Sequence, residues 1–384
     1  MSTTVQPVPT VPDLDASAVP PAGVDPHPGE TASVRTARAR SAEVEALIAC
    51  DPRRFRVLTG DRPTGALHLG HLVGTLENRV RLQDAGVDVV VVVADYQVIA
   101  DRDDAGDLPA VVREVVLDQL AAGLDPARST IFAHSAVPAL HQLLLPFLAL
   151  VTVSELERNP TVKAEAVDAA RRQGRGMSGL LLTYPVHQAA DILAVHGNLV
   201  PVGTDQLPHL ETTRTVARRF NQRFTAAQPY FAEPDALLTD TPTVLGDDGE
   251  KMSKSRGNVL ELRASEDETA AYFRRARTDG DRHITFDPET RPEVANLLRI
   301  GAHFAGTTPQ ALAQSVGPAG AGRLKELVTD AVVEGLRPLR ARRRDLAAEG
   351  PAVVADALAR GAARVDAIAE ATLQDVRELM RTVY

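Results

Sequence analysis

The sequence is short of several residue types, and each shortage closes off a class of protein. Its 384 residues include one cysteine, Cys50, so neither a disulfide framework nor a cysteine-cluster zinc site can form within one chain. No apolar run approaches the ~20 residues of a membrane-spanning helix. The formal net charge is −9, which excludes a chain that is basic throughout and binds nucleic acid for that reason, while a local basic face stays open. Tryptophan is missing, which in a chain only 4% aromatic is accounted for by chance. Lysine is nearly missing: Lys163, Lys251, Lys254 and Lys325 are the only lysines among 42 basic residues. A sequence that writes arginine by default keeps lysine where a compact, flexible ammonium is useful. Two of the four stand almost side by side, at 251 and 254.

The hydrophobic fraction of 44% and charged fraction of 24% are those of a globular protein, and the length predicts two domains. Residues 1–50 are set apart as a Pro-rich extension. Its first 32 residues are expected to be disordered, since they cannot bury enough surface to offset ordering entropy; 33–50 form a short amphipathic helix leading into the fold. Strand patterns at 55–59, 87–94, 130–133 and 199–202 alternate with helical stretches at 67–85, 107–122, 138–152, 180–195 and 205–223. The run Val87–Ala94 lacks polar alternation after Asp88, as a parallel strand buried on both faces does. The predicted fold is α/β, a doubly wound parallel sheet whose ligands sit beyond the carboxyl ends of its strands. Residues 51–262 make up this domain, with a polar, Arg-rich insertion or mobile loop at about 154–180. From 263 to 384 strand signals vanish and an α-helical domain follows, with a basic cluster at Arg337, Arg340, Arg342, Arg343 and Arg344.

Two motifs carry chemistry. Thr64-Gly65-Ala66-Leu67-His68-Leu69-Gly70-His71 follows a strand and opens a helix. Glycines let a ligand approach the backbone, and a helix N-terminus offers free N–H groups to phosphate. The two histidines can donate to phosphate oxygens; no nearby residue completes a metal site around them, and no metal-ligating set is read elsewhere. Lys251-Met252-Ser253-Lys254-Ser255 follows Gly246-Asp247-Asp248-Gly249. Two ammoniums on a mobile loop can close over a polyphosphate and neutralise charge developing at the α-phosphate. A Walker A loop is missing.

His68-Leu69-Gly70-His71 and Lys251–Ser255, in this order and about 180 residues apart, resemble the HIGH and KMSKS signatures of class I aminoacyl-tRNA synthetases. Further stretches are similar to tryptophanyl-tRNA synthetases: Gly60–Gly65, Gly179–Pro185, Ala189–Leu193, Val200–Gln206 and Ala295–Leu298. The resemblance runs from about residue 55 to the C-terminus. It implies a Rossmann-like core with a helical tRNA anticodon-binding domain, ATP with Mg2+, L-tryptophan and tRNA-Trp as ligands, a cytoplasmic homodimer, and no membrane or DNA partner. It implies that Arg62, Pro63 and Thr64 lie along the ATP phosphates and Gly70 and His71 near the nucleotide. Gly203, Thr204 and Asp205 would meet the adenosine, with Asp205 on the ribose and Val244 at the adenine. Lys251, Met252, Ser253, Lys254 and Ser255 would close on the pyrophosphate, and Lys163 would reach the phosphates from the insertion.

For the amino acid, the resemblance implies that Asp191 accepts the indole N–H, that Tyr184 lines the ring pocket, and that Gln206 sits near the substrate's amino or carboxylate end. Gln97 and Gln188 depart from common tryptophanyl enzymes, which carry His and Met there; a divergent second bacterial type is similar at these positions and through Asn159–Glu165. Tyr184, Gln188 and Asp191 also follow the pattern by which tyrosyl enzymes hold tyrosine. A tyrosine enzyme therefore stays an alternative, as do a small nucleotidyltransferase and a non-catalytic sensor of amino acid or tRNA.

Overall fold

The valine run forms the heart of a parallel sheet. In the computed structural model of the chain, which describes residues 31–100, 106–173, 176–225, 228–238 and 243–384, β1 (Arg56–Asp61) pairs along its whole length with β2 (Asp88–Val93). Beyond β2 lies β3 (Thr130–Ala133), and on the other side of β1 lie β4 (Leu199–Val202) and β5 (Asp235–Leu238), giving the order β3-β2-β1-β4-β5. All pairings are parallel, and Val89–Val93 are buried, as a strand covered by helices on both faces requires. Four of the strands follow the sequence pattern. β5 does not: its four residues precede a loop-rich stretch and carry no β-branched side chain.

The first helix, α1 (Ala32–Cys50), is part of the fold. The Ser41 hydroxyl donates to Ala236 O on β5 and accepts from Leu238 N, and Val44 and Ile48 are buried. The helix expected at 33–50 is therefore present, and the extension 1–50 belongs to the fold from residue 32 onward, because this face carries enough apolar surface to cover the sheet edge; residues 1–30 lie outside the described residues. After β1 the chain makes one turn of helix, α2 (Leu69–His71), a wide turn at Leu72–Leu76, and α3 (Glu77–Ala85). The crossovers continue with α4 (Leu108–Ala122) and α5 (Pro138–Leu148). The insertion is itself helical: α6 (Val153–Arg158), opened by a reciprocal Thr152–Glu155 cap, and α7 (Pro160–Gln173). Gly174 and Arg175 lie outside the described residues. Then come α8 (Gly179–Ala194) and α9 (Leu207–Phe224).

From residue 266 the described elements are helical: α10 (Glu266–Arg275), α11 (Pro292–Ala305), α12 (Pro309–Val316), α13 (Gly320–Ala348) and α14 (Ala352–Leu379). Their packing is continuous with the sheet. Val365, Ala369, Leu373 and Val376 of α14 join Phe132, Leu140, Phe147 and Val186 in one core. Gly361 brings α14 so close to β3 that a Cβ there would stand 1.9 Å from Ile131 O. A second core joins Leu67, Leu69 and Leu72 to Met252, Leu260 and Leu262 and to Leu297, Val328 and Leu336.

Much of the arginine cluster of α13 is engaged within the fold. Arg340 donates to Thr269 Oγ1 and Leu262 O, Arg342 to Ala121 O, and Arg343 to Asp118 and Glu114. Three of the five thus fasten α13 to α10, α4 and the strap after the lysine loop. Asp118, fully buried on α4, also accepts from Leu67 N at 3.1 Å. No described helix is long and apolar enough to cross a membrane.

Candidate active site

Strand order places the site. The chain leaves β1 toward β2 on one side and later returns through β4 on the other, so the crevice beyond the carboxyl ends of β1 and β4 is the topological switch point where such sheets bind ligands. The loop 62–68 follows β1 and the turn Gly203–Gln206 follows β4, framing this crevice. The end of β1 is made rigid by Arg79 of α3, a residue that no motif singles out. Its guanidinium is 2% exposed and donates to both Asp61 carboxylate oxygens at 2.5 and 3.1 Å, to Gly60 O and to Thr59 Oγ1. Gln119 completes Asp61 at 2.8 Å. Burial pushes the Asp61 carboxyl up, but Arg79 overcomes this and holds it at about 2.

The two signature motifs touch. The strap after the lysine loop pairs antiparallel with the first motif: Leu69 N donates to Leu260 O at 2.9 Å and Leu262 N to Leu67 O at 3.0 Å. Lys254 Nζ donates to Gly65 O at 2.7 Å. Gly65 has φ +143°, a backbone conformation that side chains disfavour, and a Cβ there would press on the Lys254 stem at 3.3 Å. Met252 Sδ stands 3.7 Å from where a Gly70 Cβ would be, so this glycine leaves room for both His68 and the loop. Asn258 holds the loop's shape. Its side chain accepts from Ser253 N at 2.8 Å and donates to Asp248 and Lys251 O, while its carbonyl accepts from Tyr272. Met252 N donates to Val244 O, and Asn296 bonds both backbone groups of Leu245. Lys251 is exposed, and Ser253 and Ser255 share a hydroxyl contact at 3.0 Å.

His68 and His71 stack tilted, with ring centroids 3.8 Å apart. Burial and the neighbouring charges of His71 and Lys254 lower His68 to about 3, and burial, with Lys254 and Arg79 outweighing Asp61, lowers His71 to about 4, so both rings are neutral at pH 7. Because His71 Nδ1 accepts from His68 N at 3.2 Å, its proton sits on Nε2, which is left to donate outward. Arg62 lies 3.8 Å from Glu165 on α7, drawing the insertion to the first motif; Lys163 is exposed two residues before Glu165. Thr64 N turns back onto Arg62 O at 2.8 Å, across a buried Pro63. After β4, Gly203 O accepts from Gln206 N at 3.0 Å and Thr204 is exposed. The side chain of Asp205 lies outside the described residues.

Asp191 is buried deep on α8, 2% exposed. Its Oδ1 accepts from His134 Nε2 at 2.7 Å, a partner the sequence did not reveal. Burial pushes the carboxyl up and His134 pulls it below its ordinary range, so Asp191 is a buried anion with its second oxygen available to a ligand. Tyr184 is buried one face along, its hydroxyl 2.8 Å from His209 Nε2, with Asn159 on that ring's other nitrogen. Gln97 and Gln188 are half-buried on the turn after β2 and on α8. The ends of β2 and β3 are tied by Asp95, which accepts from Ser135 N, Ser135 Oγ and Tyr96 N. His134 and Arg79 are single polar residues whose partners come from other elements, so no local pattern betrays them; Asn258 takes its partners from its own loop.

Comparison with known proteins agrees with this arrangement. Residues 51–337 match the family of class I tRNA synthetases (W and Y). Tryptophan–tRNA ligase of Treponema pallidum is 40% identical over 351 residues, covering 85% of this chain and 96% of the relative. That of Thermotoga maritima is 37% identical over 335 residues, covering 86% and 100%. Among solved structures, tryptophanyl-tRNA synthetase of Campylobacter jejuni, complexed with ADP and tryptophan, superposes with a TM-score of 0.71 at 27% identity, over 85% of this chain and 99% of that one. The Mycoplasma pneumoniae enzyme gives 0.72 at 28%, over 85% and 97%. The two apposed signatures, the parallel sheet and these relatives agree, and the chain belongs to the class I tRNA synthetases, in the tryptophan–tRNA ligase family.

Proposed function

We propose that the chain activates L-tryptophan with ATP, giving tryptophanyl-adenylate and pyrophosphate, and transfers the tryptophanyl group to the 3′-terminal ribose of tRNA-Trp, releasing AMP. The observation that carries this reading is the seating of the lysine loop on the first motif, with Lys254 Nζ 2.7 Å from Gly65 O. In-line displacement at phosphorus needs alignment and charge neutralisation more than a protein nucleophile. In this reading Arg62, Pro63, Thr64 and Gly70 line the polyphosphate, and His71 donates to it through Nε2. Lys251 and Lys254, with Met252, Ser253 and Ser255 shaping their loop, neutralise the departing pyrophosphate, and Lys163 approaches from α7. Gly203, Thr204 and Asp205 take the adenosine, and Val244 the base. The phosphate-side donors are lysine, arginine, histidine and backbone N–H groups. That set suits Mg2+ carried in by the nucleotide's own phosphates and water.

Asp191 takes the indole N–H on its second oxygen, Tyr184, Gln188 and Gln97 wall the ring, and Gln206 meets the polar end of the amino acid. A buried acceptor left unpaired is costly, which is what excludes rings lacking the donor. Residues 51–262 act as the catalytic unit and 263–384 as the helical tRNA-binding unit, in the cytoplasm where the tRNA is. A second copy of the chain covers the exposed apolar side chains Tyr96, Ile99, Leu145 and Val153; sedimentation giving a monomer would refute that pairing. Pyrophosphate exchange with ATP, run over the twenty amino acids, tests the whole reading. Exchange with tryptophan alone is expected; exchange with tyrosine would transfer Tyr184, Gln188 and Asp191 to a phenol site, and exchange with none would refute catalysis.

A further inference from the structure

Behind Asp191 stand three histidines that the proposed reaction does not use. His134 leaves β3, His141 lies on α5, and His187 lies on α8 one turn before Asp191. His134 is 0% and His187 3% exposed, and His141 is half-buried. Their rings stand 4.3 to 5.1 Å apart, and one nitrogen from each lies within 4.8 Å of the other two.

The hydrogen bonds place the protons. His141 Nε2 is 3.0 Å from His134 O and must donate to it, so Nδ1 of neutral His141 carries a lone pair. That lone pair accepts from His187 Nε2 at 2.9 Å, which leaves Nδ1 of neutral His187 bare. His134 donates to Asp191 through Nε2, so its neutral form is bare at Nδ1 as well. The Nδ1 atoms of His134 and His187 are both buried without a hydrogen-bond partner among the described residues. Two buried lone pairs facing no donor leave acceptor capacity unmet. The outward N–H of His134 is held by a carboxylate and that of His141 by a backbone carbonyl, the supports that orient ligating imidazoles in metal sites.

We propose that His134, His141 and His187 form a binding site for a divalent transition metal of the zinc and cobalt class, braced by Asp191. Imidazole suits these ions. Metal–nitrogen bonds of about 2.0–2.1 Å in a tetrahedral site put ligand nitrogens about 3.4 Å apart, so the rings need close by no more than about 1.4 Å, a small side-chain rotation. The site would tie β3, α5 and α8 together directly behind the carboxylate proposed to select the amino acid. Its existence does not depend on which amino acid that is.

The test uses the full chain, stripped by chelator and titrated with Co2+. The expected result is one Co2+ per chain with the visible bands of tetrahedral nitrogen coordination, displaced by Zn2+. His141→Ala and His187→Ala should each weaken binding at least tenfold, Asp191→Asn by about 10–100-fold through lost orientation, and His68→Ala not at all. Zn2+ should also raise the unfolding midpoint of the unaltered chain, and this rise should vanish in His141→Ala, the half-buried and most tolerant position. Lack of a tetrahedral band would overturn the proposal, as would a band that survives His141→Ala and His187→Ala or an unfolding midpoint indifferent to Zn2+.

Discussion

Arg343→Leu is the substitution that most directly probes how the helical half holds the nucleotide loop. Arg343 is 17% exposed and donates to Asp118 Oδ1 at 2.7 Å, while Asp118 Oδ2 receives the Leu67 N–H just ahead of His68. Removing one partner of a buried pair costs about 3–5 kcal/mol; partial access of water to Arg343 reduces the expectation to about 2–4 kcal/mol. With a urea m-value of about 3 kcal/mol/M, the midpoint should fall by about 1 M. Circular dichroism is the assay, since the chain has no tryptophan to report. The pH dependence has a definite sign. Burial raises the Asp118 carboxyl above its ordinary value, and Arg343 only partly opposes this. Without Arg343 it rises further, so ionisation costs folded-state stability as pH climbs through and above the ordinary carboxyl range. The deficit of Arg343→Leu should therefore be full at pH 7 and shrink toward pH 4, and Asp118→Asn added to it should recover much of the loss. KM for ATP in pyrophosphate exchange should rise, because the Leu67 anchor loosens. An unchanged midpoint, or a deficit independent of pH that Asp118→Asn fails to relieve, would refute the reasoning.

Further outcomes are expected. Lys254→Ala should reduce pyrophosphate exchange by about 10²-fold or more while leaving tryptophan binding by equilibrium dialysis intact; equal loss of both would point to a collapsed loop. Gly361→Ala puts a methyl into the β3 backbone and should cost about 2–4 kcal/mol, whereas Gly322→Ala in α13, with nothing within 4 Å of its Cβ, should gain about 0.5–1 kcal/mol; urea midpoints moving the same way would contradict the packing argument. Asp61, held at about 2 by Arg79, contributes about 2 kcal/mol that is complete above pH 4 and lost as pH falls toward 2; Arg79→Leu should flatten that limb of the acid-unfolding curve. Deleting residues 1–30 should leave aminoacylation unchanged, and lost charging would show that the tail has a role.

The sheet was legible because burial on both faces writes a continuous apolar run, as in β2, and because crossover helices repeat at regular intervals. β5 escaped notice because Asp235-Ala236-Leu237-Leu238 has neither β-branched residues nor length. The two signatures were legible as motifs, but their contact was not: it depends on the strap Leu260–Leu262, whose apolar residues look like any core segment. The partners of the α13 arginines were not legible, for a physical reason. Charge density along a helix says nothing of which neighbours carry buried carboxylates, and here Glu114 and Asp118 of α4 claim Arg343. His134 stayed hidden because its meaning comes from Asp191, 57 positions away, and no periodicity links a loop imidazole to a helix carboxylate.

The Lys254–Gly65 bond has a kinetic consequence. The ammonium already rests on a neutral carbonyl, so nucleotide arrival is an exchange of partners for that cation, in which anionic oxygens must outbid a peptide dipole. A nucleoside without phosphates offers that cation nothing stronger than the carbonyl and should leave the bond in place, while each added phosphate should speed the exchange. Selection for the triphosphate would then begin at the rate of entry, before any contact with the base or ribose.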